Sequence, residues 1–219
     1  MTAERFRRPP TAQEAVLAEL RRSIITGDLR PGEQVRQDAL ADRYGVSRVP
    51  LREALKILEG EGQVIYRPHR GYFVAELDVD DLREVYRIRD LLESEAVRTA
   101  VPRLTEDDLQ RLSDAATDVD RADALGDLAA MTAANRRFHF TLIEAAGMPR
   151  LARLTRILWD ATDAYRSVYY ADTAHRRVVH DEHHAVIKAI RAGETEEAVR
   201  LLRDHREHAV EAVARTLRR

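Results

Sequence analysis

The sequence predicts a mainly α protein in two modules, and three observations carry that expectation. Ala and Leu are abundant while aromatics make up only 5% of the 219 residues, a composition that favours helix. Residues 11–77 run helix, short helix, tight turn, helix and β-hairpin, which is the order of a winged helix-turn-helix. From residue 78 to 219 the pattern is helical throughout, opened segment by segment by hydroxyl or acidic caps, and reads as an antiparallel all-α bundle.

Residues 1–10 are basic and contain Pro9 and Pro10, and read as a mobile tail. Thr11 and Glu14 have capping-box spacing and open a helix that Gly27 stops. LRPGEQV turns into a short extended piece. A helix from about Asp38 to Tyr44 stops at Gly45, and another follows Ser47 and ends near Gly60. VIYRPHRGYFV reads as strand, turn, strand. Further helices are expected from an Asp80 cap to Ala100, from Thr105 to before Gly126, and from Asp127 to Ala146. The last three are expected from Pro149 to about Tyr170, from His175 to Arg191, and from Thr195 toward the C-terminus.

The first module has the features of a DNA reader. Ala41 lets two helices approach, Gly45 tolerates the left-handed backbone of a tight turn, Val46 can plug the core, and Ser47 can cap the next helix. Pro50 falls in the first turn, where its missing N–H has no intrahelical partner. Arg48 and Arg52 share a face at the helix N-terminus, the end that enters a major groove, where Arg can grip guanine or phosphate. The competing reading pairs these arginines with Glu53 or Asp42. The tip Arg67-Pro68-His69-Arg70-Gly71 is short and basic, suited to a minor groove or a phosphate. Arg36, Ser47, Val49 and Pro50 complete the candidate DNA-binding set with Arg48, Arg52, His69, Arg70 and Gly71. Charge agrees: residues 1–75 hold 13 Lys and Arg against 10 Asp and Glu, and the remainder 23 against 28.

LRRSIITGDLRPGEQV, LADRYGVSRVPLREALKILEGEGQV and RPHRGYFV, in this order, resemble the DNA-binding domain of the GntR superfamily over about residues 13–75. The resemblance implies DNA contact by Arg48, Arg52 and the wing around His69 and Gly71. Some relatives carry a further Arg where this chain has Asp38, which is unsuited to phosphate, and Arg36 is the candidate substitute.

Seven of the eight histidines follow residue 76. Asn135 and His139 share a helix face, and His183 and His205 lie on the last two helices. Facing helices of a bundle can build a metal site from such side chains. YRIRDLLESEAV, NRRFHFTLIEAAGMPRL, EHHAVIKAIRAGE and AVRLLRDH resemble the FCD ligand-binding domain of FadR-type GntR regulators. That resemblance implies a divalent metal held by Asn135, His139, His183 and His205, with Zn first and Ni, Fe, Mn or Cu as alternatives. It also points Arg89 into an effector cavity, against the plainer reading that Arg89 pairs with Glu93. Three neutral imidazoles and one amide leave a +2 ion uncompensated, so an anionic ligand such as an organic acid is expected to complete its sphere. Tyr165 and Tyr169 share a face and line either core or pocket, while His175, His180 and His208 read as surface.

The absence of cysteine excludes disulfides and thiolate metal sites and fits a cytoplasmic protein. MTAERFRRPP lacks the apolar region of a secretory signal, and no stretch of about 18 apolar residues suits a membrane. The expected protein is a homodimeric transcription regulator, a repressor whose grip on double-stranded operator DNA responds to a small organic acid. The rivals are a metal-dependent, phosphohydrolase-like helical-bundle enzyme and a regulator with a metal-free pocket. Against the enzyme, no nucleophile stands out and no carboxylate is placed as general base.

Overall fold

The computed structural model describes residues 10–218, which divide into two compact units between Ala75 and Glu76. The expected tail lies, apart from Pro10, outside the described residues.

The first unit contains helices α1 (Ala12–Ile25), α2 (Gln37–Tyr44) and α3 (Arg48–Gly60) and strands β1 (Val64–Arg67) and β2 (Gly71–Val74). Thr11 and Glu14 form the reciprocal capping box that starts α1. Gly45 ends α2 in the left-handed region at φ 64°, giving the tight turn into α3. Leu51, Ala54, Leu55 and Leu58 of α3 are fully buried and pack the helix onto α1 and α2. The strands pair antiparallel in the register Val64 to Val74 through Arg67 to Gly71. Residues 32–35 extend this ribbon, with Val35 N donating to Tyr72 O at 2.8 Å and Val74 N to Glu33 O at 2.9 Å. The turn closes with His69 in the left-handed region at φ 61°, a conformation few non-glycine residues adopt.

Ser47 occupies the cap position of α3, but its side chain bonds no backbone N–H. Pro50 is the third helical residue, and its ring removes one of the donors a capping hydroxyl would engage. The expected cap is therefore absent, and Ser47 is left exposed.

The second unit contains α4 (Val79–Ala100), α5 (Glu106–Leu125), α6 (Leu128–Ala145), α7 (Pro149–Ala161), α8 (Asp163–Tyr170), α9 (Thr173–Arg191) and α10 (Thr195–Leu217). A single 3-10 turn, Val101–Arg103, follows α4. Helix α4 packs on α6, α7 and α10, and α9 on α5 and α10. Asp78, not Asp80, caps α4, accepting from the backbone N–H of Asp80 and Asp81.

The helix expected from Pro149 to Tyr170 is broken at Thr162. Arg166 Nη1 donates to the Trp159 carbonyl at 3.1 Å, and its Nη2 to Thr162 Oγ1 at 3.1 Å. A buried guanidinium thus satisfies a carbonyl at the break. Among the described residues no helix is long and apolar enough to cross a membrane.

Candidate nucleic-acid interface and metal centre

The start of α3 is exposed. Val49 is 70% accessible, and Ser47, Arg48 and Arg52 are exposed beside it while Pro50 is half-buried. Arg48 pairs with neither Glu53 nor Asp42. Its Nε lies 2.7 Å from Asp38 Oδ1 at the start of α2, and both side chains are about two-thirds exposed. Arg52 makes no ion pair with a described residue. Arg36, also exposed, precedes α2.

At the wing, Arg67 and Arg70 lie over the Phe73 ring at 4.7 and 5.6 Å from its centroid. Gln34 Nε2 donates to Arg70 O at 2.6 Å and ties the tip to the preceding segment. The unit therefore presents an exposed helix N-terminus and a braced basic wing. Val49 offers an apolar contact of the kind that reads a thymine methyl, and the arginines offer bidentate donors.

In the second unit His139 of α6, His183 of α9 and His205 of α10 converge. Their ring centroids are 5.6 Å (His139–His183), 5.2 Å (His139–His205) and 5.2 Å (His183–His205) apart, and all three are buried. One nitrogen from each lies within 4.8 Å of the others. Asn135, one turn before His139, turns a buried Oδ1 that has no hydrogen-bond partner. His139 Nε2 and both nitrogens of His183 also lack partners. Buried polar atoms without partners are costly, and Asn135 Oδ1, His139 Nε2 and one ring nitrogen of His183 suit a common ligand. His205 is oriented differently: its Nδ1 lies 2.6 Å from Glu182, whose other oxygen is 2.5 Å from His208 Nδ1. A proton on His205 Nδ1 leaves Nε2 as the lone-pair donor. The four residues thus fit a borderline divalent ion such as Zn or Ni.

Burial, the other imidazoles, Arg89 and Arg206 push His139 well below the ordinary histidine value; burial and neighbouring histidines do the same for His183. Glu93 Oε2, 4.0 Å from His139 Nδ1, opposes them without prevailing. With folded values depressed, the unfolded chain binds more protons below about pH 6.5. Stability is therefore complete above that value and is lost as pH falls toward the folded values. Thermal melts of metal-free protein are expected to show Tm falling from about pH 6.5 to 5, with a shallower slope in His183→Gln.

Beside the imidazoles lies a cavity of about 30 Å³, lined by Tyr86, Arg89, His139, Trp159, Arg166 and Arg206 among others. Its Trp159 ring is flanked by Arg89 and Arg166, with guanidinium carbons 4.1 and 4.3 Å from a ring centroid. Arg89 Nε donates to Glu93 at 2.8 Å, so Arg89 both pairs and lines the cavity. Arg206 reaches Asp90 at 2.5 Å and Glu93 at 3.2 Å, and Arg166 pairs with Asp163. Burial alone would raise Glu93, but Arg89 and Arg206 outweigh it and hold its carboxyl below the usual value. Glu93, Asp90 and Asp163 balance the three guanidiniums and Glu182 backs His205, so a divalent ion would still leave the site with a net positive charge.

Arg166, Arg206 and Glu182 were not singled out from the sequence. Arg166 had a signal, since it shares a helix face with Tyr169 and Tyr170, three and four residues on. Tyr165 and Tyr169 are buried and line the cavity. His175 stacks on Tyr169, and His208 is exposed.

Residues 12–74 match the family described as bacterial regulatory proteins, gntR family, and residues 84–208 match the FCD domain. The chain belongs to the GntR family. It is 31% identical over 161 residues to the Nta operon transcriptional regulator of Aminobacter aminovorans, covering 73% of this chain and 74% of that one. It is 26% identical over 200 residues to the HTH-type regulator YdhC of Bacillus subtilis, covering 91% and 89%. The solved structure of E. coli McbR/YncC superposes with a TM-score of 0.84 at 26% identity, covering 95% of this chain and all of that one. This GntR protein is accordingly a DNA-binding transcription regulator with an FCD domain, not an enzyme.

Proposed function

We propose that this GntR regulator is a cytoplasmic homodimeric repressor whose operator binding is weakened by a small organic acid. The acid binds beside a divalent metal held by Asn135, His139, His183 and His205. The observation that carries this reading is the cluster of three buried imidazoles beside an unpartnered amide oxygen, at the edge of a cavity that Asn135, His139, His205 and three guanidiniums line. Neutral protein ligands leave the ion's charge to an anion, and Arg89 lies within the same cavity to grip a carboxylate. A cavity of about 30 Å³ holds a water or two, so a multi-atom acid must widen it. That movement gives the ligand the differential affinity needed to shift the protein between DNA-binding states.

Metal analysis of untagged protein, with thermal shifts in a panel of carboxylic acids, tests the site. The expected result is near-stoichiometric metal and a Tm rise that requires both metal and acid. Glu182→Gln removes the carboxylate that orients His205. Its metal affinity, measured against a competing chelator, is expected to fall about 10- to 100-fold.

On DNA, we assign the contacts to Arg36, Ser47, Arg48, Val49, Pro50, Arg52, His69, Arg70 and Gly71. The Asp38 carboxylate approaches Arg48 at Nε, and a grip there would leave both terminal nitrogens for a guanine edge. Asp38→Ala removes that brace and one negative charge. Affinity for random-sequence DNA is expected to rise about two- to fivefold while the operator-to-random ratio falls, as read by fluorescence anisotropy. An unchanged ratio would show that Asp38 only repels phosphate.

A further inference from the structure

We propose a second divalent-metal site on the surface of the helical unit, formed by Asp120 of α5 with His180 and His184 of α9. The two histidines are one helical turn apart, with ring centroids 4.5 Å from each other. Both reach the same carboxylate: His180 Nδ1 is 2.5 Å from Asp120 Oδ1, and His184 Nε2 is 3.3 Å from Asp120 Oδ2. One ligand atom from each of the three lies within 4.8 Å of the others. No Lys or Arg among the described residues comes within ion-pair distance of Asp120, whose carboxylate contacts are the two imidazoles.

A helix-to-helix hydrogen bond needs one histidine. The second, brought to the other oxygen of the same carboxylate, is what an ion-binding arrangement requires. Tetrahedral coordination at about 2.0–2.1 Å places ligand atoms about 3.3 Å apart, so the cluster needs small rotamer shifts rather than backbone movement. Two imidazoles and a carboxylate select a borderline divalent ion, Zn, Ni or Cu, over Mg or Ca, which prefer all-oxygen shells.

The site differs from the buried cluster in two respects. It supplies its own negative charge, and its histidines are nearly half exposed, so water or a further donor can occupy the remaining positions. An ion there would staple α5 to α9, the helix that also carries His183. The inference stands whether or not the buried cluster takes a metal.

The test is Zn²⁺ binding to untagged, chelator-stripped full-length protein, with equilibrium dialysis for stoichiometry and titration calorimetry for affinity. Wild type is compared with His180→Ala/His184→Ala, and with Asp120→Asn. The expected result is one equivalent fewer for the double variant, and at least 10-fold weaker binding of that equivalent in Asp120→Asn. The altered side chains are partly exposed, so circular dichroism is expected to be unchanged. Co²⁺ in place of Zn²⁺ is expected to give a visible absorption band that the double variant reduces. Unchanged stoichiometry and affinity in the double variant would overturn the site and leave a hydrogen-bonded bridge only. A lost equivalent is informative even when the buried cluster binds nothing, because the wild type then holds one and the double variant none.

Discussion

Replacing Arg48 and Arg52 together by Ala is expected to abolish operator recognition at physiological salt. Each well-placed arginine contact discriminates by about 1–3 kcal/mol, so the pair is worth about 2–6 kcal/mol, or roughly 30- to 10⁴-fold in Kd. Fluorescence anisotropy on the operator and on random-sequence DNA separates the roles. A base-reading arginine carries away the specificity ratio, whereas a phosphate-binding one weakens both DNAs alike and lowers the salt slope by about 1. Both side chains are exposed and the core face of α3 is untouched, so the fold is expected to survive. Operator binding that persists in the double variant would remove the start of α3 from the interface.

The second large effect is expected at His139. It lies centrally in the buried cluster, touching the His183 and His205 rings as well as Trp159. His139→Ala is expected to cost more metal affinity than the 10- to 100-fold typical of losing an orienting partner, because it deletes a ligand itself. It should also remove the thermal shift produced by acids, since Arg89 alone keeps its Glu93 partner and has no reason to exchange it. Parallel melts in urea separate a folding defect from ligand loss. Unaltered acid affinity in a folded His139→Ala protein would detach the acid from the metal.

The α3 core face was legible because four apolar residues recur at helical spacing, and all four are fully buried. Asn135 and His139 could be placed on one helix face by spacing, but their meeting with His183 and His205 depends on how α6, α9 and α10 pack, which spacing does not encode. The break at Thr162 was hidden for a related reason. The i, i+3 spacing of Asp163 and Arg166 is that of any helical ion pair and marks no break, while the structure buries that arginine against the Trp159 carbonyl. Asp120 illustrates the same limit, since its histidine partners lie 60 and 64 residues away. Ser47 is the converse case: it sits at the cap position expected, and the proline that makes the helix entrance rigid also removes a donor the cap would use.

The most direct test of the account is operator affinity measured with and without metal across a panel of mono- and dicarboxylic acids. The protein is untagged, stripped, and either left metal-free or reloaded with Zn²⁺, and His139→Ala is measured in parallel. The expected result is an acid that weakens operator binding at least about 10-fold in the metal-loaded protein alone, the size of a typical coupling free energy. An equal effect in the metal-free protein and in His139→Ala, or no effect of any acid on the loaded protein, would contradict it.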